Sequence, residues 1–148
     1  MPLKTQQQKT VILMADDDAD DRYLVQVAFE ENEIRCELLF VEDGSEVFDF
    51  LRGHGKHEIN GSKIPNLILL DLNMPKKDGK QVLQEIKALP DYLHIPVVIF
   101  TTSKSPDDVR QLYKMGASSF ISKPSSFEKL SEVVRNIGTY WVETTVLP

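Results

Sequence analysis

A chain of 148 residues with 17 basic and 23 acidic side chains, net charge −6, has room for one hydrophobic core; a domain of this size buries roughly 70% of the surface its unfolded chain would expose. The acidic balance excludes nonspecific nucleic-acid binding, and the longest apolar runs, four or five residues, fall far short of the roughly 20 needed to span a bilayer. Met1–Thr10 is polar and lacks the apolar centre of a signal peptide, so the expected compartment is the cytoplasm, with neither DNA nor membrane as partner.

In chain order, Val11–Ala15 is continuously apolar and β-branched, the pattern of a strand buried on both faces of a parallel sheet. Asp18 follows as a helix N-cap, and Asp20 and Asp21 read as a solvated acidic helix start. The single cysteine, Cys36, has no internal disulfide partner and reads as packed core. A weaker strand, Glu37–Val41, follows it. Residues 53–65 form a polar loop of about a dozen residues, longer than most connections. Leu67–Leu70 is a second strongly apolar strand, and Val82, Leu83, Ile86 and Leu89 then share a helical face. Val97–Phe100 is the third such strand. Ser105-Pro106-Asp107-Asp108 supplies an N-cap, a first-turn proline and two acids near the positive end of the helix dipole. That helix carries Val109, Leu112 and Tyr113 on one face and ends at Gly116. Ser119–Ser122 is a weaker strand. Ser125 with Glu128 has the spacing of a capping box, ahead of a stripe of Phe127, Leu130, Val133, Val134, Ile137 and Trp141. Five alternations of strand and helix imply a doubly wound α/β sheet with helices on both faces.

The chemistry collects where the strands end. The first strong strand runs into Asp16, Asp17 and Asp18, the second into Asp71, the third into Thr101, and the last weak strand into Lys123. Open α/β sheets bind ligands outside the carboxyl ends of their strands, so these residues share one rim. Like charges about 4 Å apart repel by roughly 4 kcal/mol at an effective dielectric near 20. Asp16, Asp17 and Asp71 against the single Lys123 therefore call for a proton or a cation. Mg²⁺ (or Mn²⁺) fits this oxygen-rich donor set. It leaves Asp71 able to act as a nucleophile toward phosphorus, a reaction that depends on alignment and charge neutralisation.

Asp16-Asp17, Leu69-Leu70-Asp71-Leu72-Asn73-Met74-Pro75, Asp78-Gly79, Thr101 and Lys123-Pro124 resemble the signature of bacterial response-regulator receiver domains. The separations agree, 30 residues from Asp71 to Thr101 and 22 from Thr101 to Lys123. The resemblance implies a flavodoxin-like fold, a five-stranded parallel sheet of order 2-1-3-4-5 with five helices. It divides the chain into a polar segment 1–9, a receiver 10–141 and a tail 142–148. It also implies roles. Asp71 is the phosphoacceptor; Asp17 ligates the metal and Asp16 assists; Asn73 lends its backbone carbonyl; Lys123 pairs with the phosphoryl oxygens, and its bond to Pro124 is expected to be cis. Thr101 and Phe120 form the switch pair, although Phe120 also reads as plain core. Asn73, Thr102 and Ser103 tune dephosphorylation. The implied partners are a sensor histidine kinase and a downstream protein.

Asp71-Leu72-Asn73-Met74-Pro75-Lys76-Lys77-Asp78-Gly79, Thr101-Thr102 and the tail Tyr140-Trp141-Val142-Glu143 resemble the small regulators that serve bacterial phytochromes. Those relatives carry no output domain, and the likeness implies a phytochrome-type kinase and a homodimer through the C-terminal helices and tail. Tyr140-Trp141 reads equally as ordinary burial at a helix end. Two rival functions remain. An aspartyl-phosphate phosphohydrolase usually places a second aspartate two residues after its nucleophile, where this chain has Asn73. The other rival is an interaction module that is never phosphorylated. A calcium loop at Asp16 fails because Asp21 and Val27 stand where Gly and Glu are required. His54, His57 and His94 have no metal-ligand spacing and receive no role.

Overall fold

The computed structural model describes residues 9–55 and 64–148; Met1–Gln8, His57 and most of the polar loop 53–65 lie outside the described residues. Five strands, β1 (Thr10–Ala15), β2 (Cys36–Val41), β3 (Leu67–Leu70), β4 (Val97–Thr101) and β5 (Ser119–Ser122), form one parallel sheet in the order β2-β1-β3-β4-β5. Five helices alternate with them: α1 (Ala19–Glu31), α2 (Gly44–Arg52), α3 (Gly79–Ala88), α4 (Pro106–Lys114) and α5 (Phe127–Ile137). The flavodoxin-like architecture and strand order implied by the resemblance are those observed.

The strong strands are apolar at every position because both faces of the sheet are covered. Leu13, Ala15, Ile68, Leu70, Val97 and Ile99 pack against Val47, Phe50, Val82, Leu83, Ile86 and Leu112 of α2, α3 and α4. The alternate residues Ile12, Met14, Leu67, Leu69, Val98 and Phe100 pack against Val25, Phe29, Leu130, Val134 and Ile137 of α1 and α5. Burying a side chain of this size contributes about 1.5–3 kcal/mol, so the register of the central strands is fixed from both sides. Cys36 lies at the start of the edge strand β2 and is half-buried rather than core; burial still pushes its thiol up to about 11.

Helix starts follow local chemistry. Asp18 accepts from the Asp20 and Asp21 amides at 2.9 and 3.2 Å. Asp78 and Gln81 form a reciprocal capping box on α3. Ser105 caps α4 with Pro106 in its first turn, and Gly116 beyond that helix adopts φ +108°. The α5 cap differs from the sequence expectation. Ser126, not Ser125, accepts from the Lys129 amide at 3.2 Å. The first helical residue is Phe127, the start of the apolar stripe, so the cap falls one position later. Beyond α5 the chain continues as a π-helical segment, Gly138–Thr144, in which Thr145 N–H donates to the Tyr140 carbonyl at 2.8 Å. The expected tail is therefore still helical at Val142–Thr144.

Gly79 places α3 against the turn that follows β3. Its amide donates to Leu72 O at 2.9 Å, and a Cβ there would lie 2.3 Å from Asp71 O. Gly79→Ala is expected to cost about 1–3 kcal/mol, as overpacking does, and to displace the Asp71 backbone. Urea denaturation measures the first effect, and wild-type stability in the variant would disprove the close approach.

Candidate functional site

The sheet order delivers four strand ends to one rim. β1 leads into Asp16, whose amide donates to Val41 O at 3.1 Å while Arg22 Nη1 donates to the Asp16 carbonyl at 2.7 Å. Asp16 is fully buried, Asp17 beside it is exposed, and the Asp18 amide donates to Asp16 Oδ1 at 2.9 Å. Asp71, just past β3, is tied to β1 through its amide, which donates to Ala15 O at 3.0 Å. The Asn73 amide approaches Asp71 Oδ1 at 3.4 Å. Carboxylate oxygens of Asp16, Asp17 and Asp71 lie within 4.8 Å of one another, the spacing of a cation site among the described residues. The donors are hard oxygens, the set that suits a divalent metal such as Mg²⁺ or Mn²⁺.

Lys123 reaches this cluster from the end of β5, where its amide donates to Thr101 O at 2.7 Å. The ammonium donates to Asp16 Oδ2, to Asp21 Oδ2 at 2.9 Å, and lies 3.5 Å from Asp71 Oδ2. Burial opposes the ammonium, yet the Asp16 bond and the charges of Asp16 and Asp71, with the Asp21 bond, push its pKa up to about 12. Burial pushes Asp16 up too, against the bonds from Lys123 and the Asp18 amide. The Asp16 shift is thus chiefly a cost of burial, and the Lys123 shift reflects the carboxylates around its ammonium. The sequence reads Asp21 as solvated, whereas in the structure it accepts from Lys123. Nothing local to α1 announces a partner 102 residues away.

Lys123–Pro124 is trans, since no peptide bond among the described residues is cis. This corrects the resemblance; the intrinsic trans preference of X–Pro bonds, about 0.5–1 kcal/mol, prevails.

Thr101 ends β4 and is fully buried, and its hydroxyl has no hydrogen-bond partner. Leaving a buried hydroxyl unsatisfied costs about 1–3 kcal/mol. Thr102 is exposed. The Ser103 hydroxyl donates to Asp108 Oδ2 at 3.2 Å, and Lys80 of α3 holds Asp108 Oδ1 at 2.9 Å. The Lys80 and Ser103 bonds keep Asp108 below the usual carboxylate range. Phe120 on β5 is partly buried against the core, and its amide donates to the Tyr113 hydroxyl of α4 at 3.1 Å.

Comparison with known proteins agrees with this geometry. The family model for the response regulator receiver domain matches residues 12–135. The chain belongs to the response-regulator receiver family. It is a receiver of two-component signalling. The response regulator Rcp1 of Synechocystis sp. is 43% identical over 140 residues, covering 95% of this chain and 93% of that protein. The crystal structure of Mn²⁺-bound Rcp1 superposes with a TM-score of 0.85 at 42% identity, over 94% of this receiver and 99% of the other chain. That of the phosphorylated cyanobacterial phytochrome response regulator RcpA gives 0.87 at 36% identity, over 95% and 99%. No helix among the receiver's described residues is long and apolar enough to cross a membrane.

Proposed function

We infer that this receiver takes a phosphoryl group onto Asp71 from the phosphohistidine of a sensor histidine kinase and passes the signal on through protein contacts. The observation that carries this reading is the convergence of Asp16, Asp17, Asp71 and Lys123 beside the unpartnered Thr101 hydroxyl. An Asp71 carboxylate oxygen attacks phosphorus as the phosphorus–nitrogen bond breaks, and the imidazole leaves with a proton. Lys123 pairs with the transferred oxygens and the Thr101 hydroxyl donates to one of them. Asp16, Asp17, Asp71 and the Asn73 carbonyl would hold a divalent cation, Mg²⁺ or Mn²⁺, whose chemistry is to neutralise charge on the phosphoryl oxygens. The Mn²⁺ in the Rcp1 crystal structure and the phosphorylated state of RcpA support this assignment by similarity.

Thr101 and Phe120 then act as the switch pair. Thr101 moves toward the phosphoryl group and the Phe120 ring turns inward, which alters the surface formed by α4, β5 and α5. By similarity to phytochrome response regulators, the donor is a phytochrome-type kinase. A second copy of the chain is the proposed occupant of the apolar groove lined by Ile121, Val133, Ile137, Tyr140 and Trp141. The proposed compartment is the cytoplasm, and nucleic acid is not a proposed partner.

Acetyl phosphate with Mg²⁺ should add about 80 Da, one phosphoryl group, to the intact protein, and EDTA should prevent it. An unchanged mass favours an interaction module, whereas rapid turnover of small phosphomonoesters favours a phosphohydrolase. Asn73 stands against the latter, because an amide cannot deliver the general acid's proton. Lifetime offers a separate check. Thr102 crowds the approach of water, so Thr102→Ala should shorten the phosphoryl half-life about threefold, under one kcal/mol in barrier. An equal or longer half-life refutes the crowding.

A further inference from the structure

Lys123 holds Asp16 and Asp21 more closely than it holds Asp71. An ammonium has three N–H donors, and two of them are engaged with Asp16 and Asp21. The 3.5 Å separation from Asp71 Oδ2 exceeds the ordinary hydrogen-bond range of about 2.7–3.2 Å. Asp16 belongs to the cluster that a cation would occupy, whereas Asp21 does not. Asp21 stands in the first turn of α1, about a third exposed, across from a lysine side chain that is 7% exposed. A cation that claims Asp16 therefore leaves Asp21 as the carboxylate competing for the ammonium.

We propose that Asp21 is a positioning residue that holds Lys123 back from Asp71 and so sets how readily the ammonium transfers to the oxygens of a phosphoryl group. This rests on the reading of Asp71 as phosphoacceptor. Reaching a phosphorylated Asp71 requires Lys123 to give up a charge-assisted bond of a kind roughly twice as strong as a neutral one. Removing the Asp21 acceptor lowers that cost.

Beryllofluoride at saturating Mg²⁺ is the probe, followed through the Thr101 amide resonance. Asp21→Asn should lower the half-saturating beryllofluoride concentration about three- to tenfold, the worth of part of one charge-assisted hydrogen bond. Asp21→Ser, which keeps a polar helix start, should do the same, and Asp21→Glu should return it toward the wild-type value. The Lys123 Nζ resonance should already shift in Asp21→Asn before any beryllofluoride is added. Asp20→Asn removes the same charge from the same helical turn without touching Lys123, and should change the titration by less than about twofold. Binding in Asp21→Asn equal to or weaker than wild type overturns the proposal. An equal gain in Asp20→Asn also overturns it, since net charge alone would then account for the effect. A wild type that takes up no beryllofluoride overturns the phosphoacceptor reading, and this proposal with it.

Discussion

Asp71→Asn is expected to carry no phosphoryl group under conditions that fully load the wild type, and yet to be the more stable protein when divalent cations are chelated. The first result follows because an amide oxygen is not a nucleophile toward phosphorus. The second follows from the crowding of Asp71 with the carboxylates of Asp16 and Asp17 within 4.8 Å. Such pairs repel by at most roughly 4 kcal/mol at an effective dielectric near 20, and by less for the exposed Asp17. Losing the 3.5 Å approach of Lys123 offsets part of that relief, whereas the Asn73 amide can still donate to Oδ1 of an asparagine. The net gain should be about 1–2 kcal/mol in urea denaturation with EDTA. It should narrow when Mg²⁺ is added, because a metal bound at the proposed site would stabilise the wild type by mass action. Intact mass supplies the other half of the test: wild-type phosphoryl uptake by the variant would put the acceptor elsewhere.

Lys123→Met should do the opposite and lose about 3 kcal/mol in chelator, the cost of removing one partner from a buried ion pair. Lys123 is 7% exposed and Asp16 fully buried, so water cannot take over the lost interaction. The pH dependence has a definite sign. Lys123 has a folded pKa of about 12, above its ordinary 10.5. Its contribution is therefore fully present below pH 10.5 and disappears as pH rises through about 12. The gap between wild type and variant should accordingly close in strong alkali. Asp16 is also raised, by burial first, so its ionised form strains the fold and protonation relieves it. Part of the deficit should then be recovered as pH falls through its range. A deficit that persists unchanged at both extremes would remove the buried pair as its cause.

Most of the fold was legible because parallel strands covered on both faces must be apolar throughout, as Val11–Ala15, Leu67–Leu70 and Val97–Phe100 are. The same strands pointed to the rim, since Asp16, Asp71 and Thr101 each interrupt an apolar run at its carboxyl end. What escaped is long-range or one residue wide. Asp21 looks like any first-turn acid until β5 brings Lys123 beside it. Ser125 and Ser126 are equivalent in sequence, and only the position of Phe127 decides between them as cap. The link from Ser103 through Asp108 to Lys80 joins a loop and two helices, which no periodicity encodes.

The phenol of Tyr113 has a consequence for how a message can leave. β5 is the outermost strand, and an unpaired outer strand ordinarily invites another chain to extend the ladder. Here the Phe120 N–H is already occupied by Tyr113, so an incoming backbone would have to evict an aromatic ring before it could hydrogen-bond at that position. A reader of this side is thereby steered toward side-chain relief, the tilt of one ring and the hollow beside it, rather than toward main-chain annealing.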